Sequence, residues 1–235
     1  MPVRQQILRF GDSWARLGPW RGGGPVAHLV VAPDAQLTGA AVLDCIQRAR
    51  AAGYEEMLTS AIGPTEEEPF MEARFVVRER LRLLSRAIDA EPEPPSLPVE
   101  RATRRDRPAV LALDDAAFTG FWRLGALGLR DALDATPVRQ FRVTRGGVRG
   151  AVSGYAITGC AGNQGYLQRI AVHPGAQRAG RGAALVADAL RWLWRHGVSR
   201  AFVNTQVDNR GAFALYESFG FHELPAGLAV LGRAL

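Results

Sequence analysis

One stretch restricts what this chain can fold into more than any other, the run from Gly165 to Phe221. Tyr166–Val172 is a short apolar segment rich in β-formers, which predicts a strand. Pro174 and Gly175 end it, because proline has no N–H to give a ladder. Gln177-Arg178-Ala179-Gly180-Arg181-Gly182 then opens a helix, whose apolar residues Ala183, Leu185, Val186, Ala189, Leu190, Leu193 and Trp194 recur at helical spacing. Gly197 marks its C-terminal end. A glycine-containing loop feeding a helix start is an anion site, because unpaired N–H groups point outward and the helix dipole adds partial positive charge. Glycine at 180 and 182 leaves no Cβ between backbone and a bulky anion, and Arg178 and Arg181 add formal charge. The ligand these features suit is a phosphate or pyrophosphate, of no particular nucleotide.

Two familiar phosphate loops do not fit. A dinucleotide site wants G-x-G-x-x-G directly after the strand, and a P-loop wants G-x-x-x-x-G-K-[ST], whereas this chain has no lysine at all. It has instead Q-x-x-G-x-G after a V-x-P strand end, then Asn209, then L-Y-E-S-F-G-F over Leu215–Phe221. In this order the motifs resemble the acetyl-CoA site of the GNAT superfamily of N-acetyltransferases, over roughly residues 99–235. The resemblance implies acetyl-CoA as co-substrate and no metal. It implies that Gln177, Arg178, Ala179, Gly180, Arg181, Gly182 and Ala183 surround the pyrophosphate. The backbone of Ile170, Ala171 and Val172 would pair with the pantetheine amides. Asn209 would touch the pantetheine arm, and Tyr216 would be the catalytic proton donor to the leaving thiolate. A phenol of ordinary pKa about 10 suits that donation. On their own residues, Asn209 also reads as a helix cap and Tyr216 as a packed aromatic.

A general base is harder to read. Where some relatives carry an acid or histidine on the central strand, this chain has Tyr166 and Gln168. Members acting on protein N-termini place a glutamate five residues before the asparagine, a position held here by Asn204. His173 and His222 read as surface and structural histidines. Asp114 and Asp115, on the first helix of this half, suit attraction of a cationic amine or a plain solvated helix face.

The proline-rich, acidic segment 91–98 (EPEPPSLP) reads as a linker. On its N-terminal side, residues 1–90 form a faded repeat of residues 99–235 on its C-terminal side. Gly24–Pro33 aligns with Gly165–Pro174, Gly39-Ala-Ala-Val-Leu with Gly182-Ala-Ala-Leu-Val, Gly53 with Gly197 and Phe75 with Phe221. In this copy the loop Ala35–Gly39 is shorter, lacks the first glycine and has no arginine beside it, and Phe70 replaces Tyr216. The first half is therefore expected to be a degenerate GNAT-like domain without a cofactor site. Its predicted elements are a hairpin of Gln6–Phe10 and Trp14–Leu17, a strand at Val26–Val31, a helix at Thr38–Ala52, a strand at Met57–Ala61, a helix at Glu66–Arg74 and one or two strands over Phe75–Leu84.

In the second half the pattern predicts a strand at Val99–Thr103 and helices at Arg107–Phe118 and Leu124–Asp134. Strands at Val138–Thr144 and Ala151–Ile157 come next, joined by a glycine-rich turn over Arg145–Gly150. Beyond the central strand and helix come a strand at Arg200–Gln206, a helix at Gly211–Phe219 and a closing strand at Leu228–Leu231. The expected fold class is α/β (α+β), a GNAT fold with a mixed, mostly antiparallel sheet and helices on both faces, preceded by the partial repeat.

Composition narrows the partners. The net charge of +6 comes wholly from arginine, which suits an anionic cofactor, but no dense basic run interleaves with aromatics, so nucleic acid is not expected. Cys45 and Cys160 lie far apart without metal-ligand spacing. No membrane-span-length apolar run and no leader pattern is seen, which gives a cytoplasmic expectation. The function expected is transfer of the acetyl group of acetyl-CoA to a primary amine, on a small molecule or a peptide N-terminus, by a monomer or homodimer. Two alternatives stay open: an acyl-CoA-binding regulatory or scaffold protein without turnover, and transfer of a longer acyl chain.

Overall fold

The computed structural model describes residues 5–11, 13–21, 24–32, 37–146 and 150–235. Two compact units form: Met1–Arg82 with Pro225–Leu235, and Leu83–Leu224.

The first unit contains strands β1 (Gln6–Phe10), β2 (Ser13–Pro19) and β3 (Val26–Val31), helix α1 (Gly39–Ala51), strand β4 (Glu56–Thr59), helix α2 (Pro64–Glu72) and the first part of β5 (Val76–Ala87). These match the predicted elements within a few residues, with one strand rather than two after Phe75. The turn of the β1–β2 hairpin comes after Phe10, which pairs with Ser13. Pro33 and, of the predicted loop Ala35–Gly39, Ala35 and Gln36 lie outside the described residues. The apolar alternation of β3 sends Ala27 and Leu29 to one face, where they meet Val42 and Ile46 of α1 and Phe70 of α2 in a single core.

The second unit contains β6 (Glu100–Arg101), α3 (Arg107–Ala117), α4 (Ala126–Asp134), β7 (Val138–Gly146), β8 (Ala151–Ala161), β9 (Gln164–Val172), α5 (Arg181–Arg195), β10 (Arg200–Gln206), α6 (Arg210–Ser218) and the start of β11 (His222–Ala234). Its strand order is β10-β9-β8-β7-β6, with the end of β5 beside β10. From β6 to β9 neighbours are antiparallel, and β9 and β10 are parallel. Helices cover both faces. The apolar residues of α5, with Leu190 and Leu193 fully buried, and Phe213 and Tyr216 of α6 form one core with Leu167 and Val203. Val110 and Leu113 of α3 and Leu129 of α4 form another with Tyr155 and Ile157 of β8. This is the mixed sheet that the sequence predicts.

Three local readings change. The strand expected at Val99–Thr103 shortens to Glu100–Arg101, because Asp106 Oδ2 accepts from both Thr103 N (2.7 Å) and Thr103 Oγ1 (2.8 Å) and turns the chain into α3. The segment 91–98 holds no helix or strand, yet it is anchored: Arg191 of α5 reaches Glu91 at 2.6 Å and donates to the Pro92 carbonyl at 3.4 Å. The last strand is far longer than Leu228–Leu231, and its end from Pro225 belongs to the first unit, not to the domain 99–235 expected from sequence. There Gly232, Arg233 and Ala234 pair with Leu58, Met57 and Glu56, and Leu231 N donates to buried Thr59 Oγ1 at 2.9 Å. Period-2 patterning marks a strand but not its partner, so this placement was not legible in the sequence. Residues 147–149 of the predicted glycine turn lie outside the described residues.

Candidate active site

The site begins where β9 and β10 part. Their parallel pairing runs only from Gln164/Arg200 to Tyr166/Phe202, although the strands are nine and seven residues long. Beyond Tyr166 the edge of β9 facing β10 has no strand partner among the described residues, while its other edge stays paired to β8 as far as Gly154/Val172. A register shift between Ile157 and Thr158 of β8 bends the ladder at the same level. The backbone of Ile170–Val172 thus has a ladder edge with no partner strand, its Val172 carbonyl accepting a long bond from Gln177 Nε2 (3.4 Å), and is able to pair with an extended amide-bearing ligand as an added strand would.

The strand ends in the short 3₁₀ turn Pro174–Ala176, and the chain enters α5 through two left-handed residues, Arg178 (φ 57°) and Gly180 (φ 75°). Glycine suits that conformation because it has no Cβ to clash. Gly180 is the N-cap of α5, and no side chain caps the helix. The first intrahelical bond runs from Ala184 N to Gly180 O (2.9 Å), so the N–H groups before it remain open donors at the positive end of a 15-residue helix. Such a start suits an anionic group.

Ile170, Ala171, Val172, Gln177, Arg178, Gly180, Gly182, Ala183, Asn209 and Tyr216 line one cavity of about 500 Å³, together with Ala117, Phe118, Gly211, Ala212 and Leu215. Ten of the twelve site residues named from sequence are therefore brought together. Two are not on its wall. Ala179 is exposed beside it. Arg181 turns its guanidinium away: Nε donates to Ser153 Oγ (2.8 Å) and Nη1 to the Ala176 carbonyl (3.4 Å). Arg178 is exposed at the rim.

Asn209 caps α6, its Oδ1 accepting from Ala212 N at 3.0 Å, while also lining the cavity, so its two sequence readings coexist. Tyr216, about two turns further along α6, is 6% exposed, packs edge-on to Phe221 with ring centroids 5.9 Å apart, and lines the cavity. Burial pushes its phenol up to about 12, so the ring stays protonated through the neutral range.

The acids and histidines fall elsewhere. Asp114 is not a surface charge but fully buried. Arg169 of β9 donates to its Oδ2 from Nη2 (2.7 Å) and Nε (2.9 Å), the Tyr155 hydroxyl donates to the same oxygen, and Leu124 N donates to Oδ1 at 2.7 Å. Arg169 also donates to the Trp122 carbonyl (2.7 Å) and lies 3.6 Å over the Phe118 ring. Asp114 and Arg169 thus hold the connection between α3 and α4, whose Phe118 forms a cavity wall. Sequence reasoning missed Arg169 and Tyr155, although alternation placed both on one face of the sheet. Asp115 is exposed and pairs with Arg123 at 3.2 Å. His173 is exposed and its Nδ1 accepts from Gly175 N at 3.1 Å. The Tyr166 hydroxyl donates to Gln164, Gln168 Nε2 donates to Thr136 Oγ1, and Asn204 is exposed. Among the described residues, no carboxylate lines the cavity and no group of three His, Cys, Asp or Glu is placed to hold a metal. No helix among them is long and apolar enough to cross a membrane.

Comparison with known proteins agrees with this geometry. Over 84 residues the chain is 37% identical to the [ribosomal protein bS18]-alanine N-acetyltransferase of Escherichia coli, covering 36% of this chain and 55% of that protein. Over 155 residues it is 32% identical to the mycothiol acetyltransferase of Streptomyces avermitilis, covering 62% of this chain and 49% of that protein. The chain thus matches about half the length of these relatives. Its fold resembles that of a tandem GNAT protein from the clavulanic acid biosynthesis pathway, with a TM-score of 0.66 at 16% identity, over 97% of this chain and 81% of that one. Residues 108–221, which hold the diverging strands, the open helix start and Tyr216, match the acetyltransferase (GNAT) family, and this part of the chain is a GNAT acetyltransferase domain.

Proposed function

We propose that this chain transfers the acetyl group of acetyl-CoA to a primary amine. The observation that carries the reading is the single cavity in which an open strand edge, an uncapped helix start and a buried phenol succeed one another. In this reading the N–H groups of residues 180–183 and the side chain of Arg178 hold the pyrophosphate. Ile170–Val172 pair with the amides of the pantetheine arm, Asn209 borders that arm, and Tyr216 faces the thioester sulfur. The neutral amine attacks the thioester carbonyl carbon. The C–S bond breaks, the sulfur takes the Tyr216 proton, and the proton lost by the new amide nitrogen returns to solvent and thence to the phenolate. A phenol held neutral by burial is the protonation state that this role needs.

The acceptors named for the relatives are an alanine of ribosomal protein bS18 and a mycothiol-related molecule. A peptide N-terminus and a small-molecule amine are accordingly the two acceptor classes proposed here, with a cytoplasmic monomer or homodimer as the working form. Residues 1–90 are proposed as a degenerate copy that binds no CoA. Tyr216→Phe tests the role assigned to the phenol: turnover against a panel of amines and alanine-starting peptides should fall about 10- to 100-fold, while calorimetric affinity for CoA stays within twofold. Full turnover in the variant would remove Tyr216 from the chemistry.

One observation favours the second reading, acyl-CoA binding without turnover: Asp114, the candidate acid of α3, is held by Arg169. Binding of acetyl-CoA without release of free thiol in the presence of that panel would support it.

A further inference from the structure

The sequence gives Arg181 the same expected task as Arg178, a charge against the phosphates. The structure separates them. Arg181 is the first residue of α5, and its side chain runs behind the loop rather than toward the cavity. Its Nε donates to Ser153 Oγ at 2.8 Å, and its Nη1 to the Ala176 carbonyl at 3.4 Å. Ser153 is itself buried and fixed on both sides: its hydroxyl donates to the Thr144 carbonyl (3.2 Å), and its carbonyl accepts from His173 N (2.9 Å). The guanidinium lies against the backbone of Gly146. A Cβ built there would come within 2.5 Å of Arg181 Nη2. The side chain therefore joins β7, β8, the turn after β9 and the first turn of α5 at one point.

The loop so joined needs holding. Between Ala176 and Arg181 it places a non-glycine residue, Arg178, in the left-handed region, a strained conformation that persists only where surroundings over-determine it. An untied loop would sample right-handed alternatives, and the open N–H groups would no longer converge.

We propose that Arg181 is a positioning residue for the phosphate loop: its planar fork ties the helix start to Ser153 and Ala176 so that the backbone donors are pre-formed, while Arg178 alone of the two arginines meets the ligand. The inference rests on the CoA-binding reading above. It assigns Gly146, distant in sequence, to the same device.

The test uses the full chain and CoA as probe, with affinity read by calorimetry across a series of salt concentrations. A side chain that meets phosphate directly contributes a salt-screened term, and removing it flattens the salt dependence; removing a rear brace does not. Arg178→Met should therefore weaken binding and flatten the slope. Arg181→Met and Gly146→Ala should each raise Kd about 5- to 20-fold with the wild-type slope retained, since the cost is loop ordering. Arg181→Lys, which keeps the charge but loses the fork, should behave as Arg181→Met. Gly146 has no left-handed φ, so its alanine variant keeps the fold and displaces only the guanidinium; melting temperatures of all variants check this. The proposal is overturned if Arg181→Met flattens the slope as Arg178→Met does, if lysine restores affinity, or if Arg181→Met or Gly146→Ala binds within twofold of wild type. No binding by the wild-type chain would overturn both this inference and the acetyl-CoA reading; binding with any of the other failures removes this inference alone.

Discussion

Two helix starts in this molecule come after a strand in the same way and end differently. Helix α1 comes after β3 and is capped by Thr38, whose hydroxyl accepts from Ala41 N at 3.3 Å. Helix α5 comes after β9 and is capped by a left-handed glycine that offers no side chain. The first helix satisfies one of its own donors with a capping side chain; the second has no such side chain and leaves its donors for a ligand. The cores differ in the same direction. Among the described residues, the first unit buries Thr59, already spoken for by Leu231 N, and the Tyr54 hydroxyl. The second buries eight, including Asp106 and Asp114. Buried polar groups cost stability unless each finds partners, and most of these groups lie in the unit that holds the candidate site. The contrast separates a helix start built to stand alone from one built to be completed.

The sharpest way to break this comparison is at Gly180. Gly180→Glu places bulk and negative charge on a left-handed cap facing the cavity, and CoA affinity measured by calorimetry should fall by at least about a thousandfold, equivalent to roughly 4 kcal/mol. Retained affinity would mean that the open helix start is not the anion site. The same titration of the wild-type chain should give one CoA per chain; a second equivalent would erase the functional difference between the two helix starts.

Arg169→Met comes next. It strands the fully buried Asp114 carboxylate, and chemical denaturation should show a loss of about 3–5 kcal/mol. The double change Asp114→Leu with Arg169→Met removes both charges and should recover much of that loss. If the single variant is as stable as wild type, the polar core of the second unit carries no such cost.

A pH profile sharpens the role of Tyr216. Burial raises its phenol to about 12, so the acid form persists at alkaline pH. Turnover should rise as the acceptor amine deprotonates and show no descending limb below about pH 11. A fall near pH 10 would indicate a phenol of ordinary acidity. The smallest effect is expected at Thr38→Ala, which should cost about 1 kcal/mol of stability and leave CoA affinity unchanged.

Much of this arrangement was readable in the chain. The strand β9, the helix α5 and its glycine opening are set by local residue types, and the structure gathers ten of the twelve residues named from them into one cavity. Arg181 shows where such reading stops. Its neighbours in sequence suggest a phosphate contact, but Ser153 and Gly146, far away in the chain, redirect it. Asp114 shows the same thing: helical spacing allows a surface, and only Arg169 and Tyr155 on the facing strands reveal a buried acid.

By itself the sequence determined where the chain turns, which face of each element is apolar, and that one helix begins bare. Those properties are local, set by backbone freedom at glycine and proline and by the 2.0 and 3.6 periods. Tertiary structure alone decided which arginine faces the cavity, how far β9 and β10 stay paired, and that the last strand returns to β4. Each of these depends on a partner distant along the chain, and no local pattern encodes the direction in which a long charged side chain will find one.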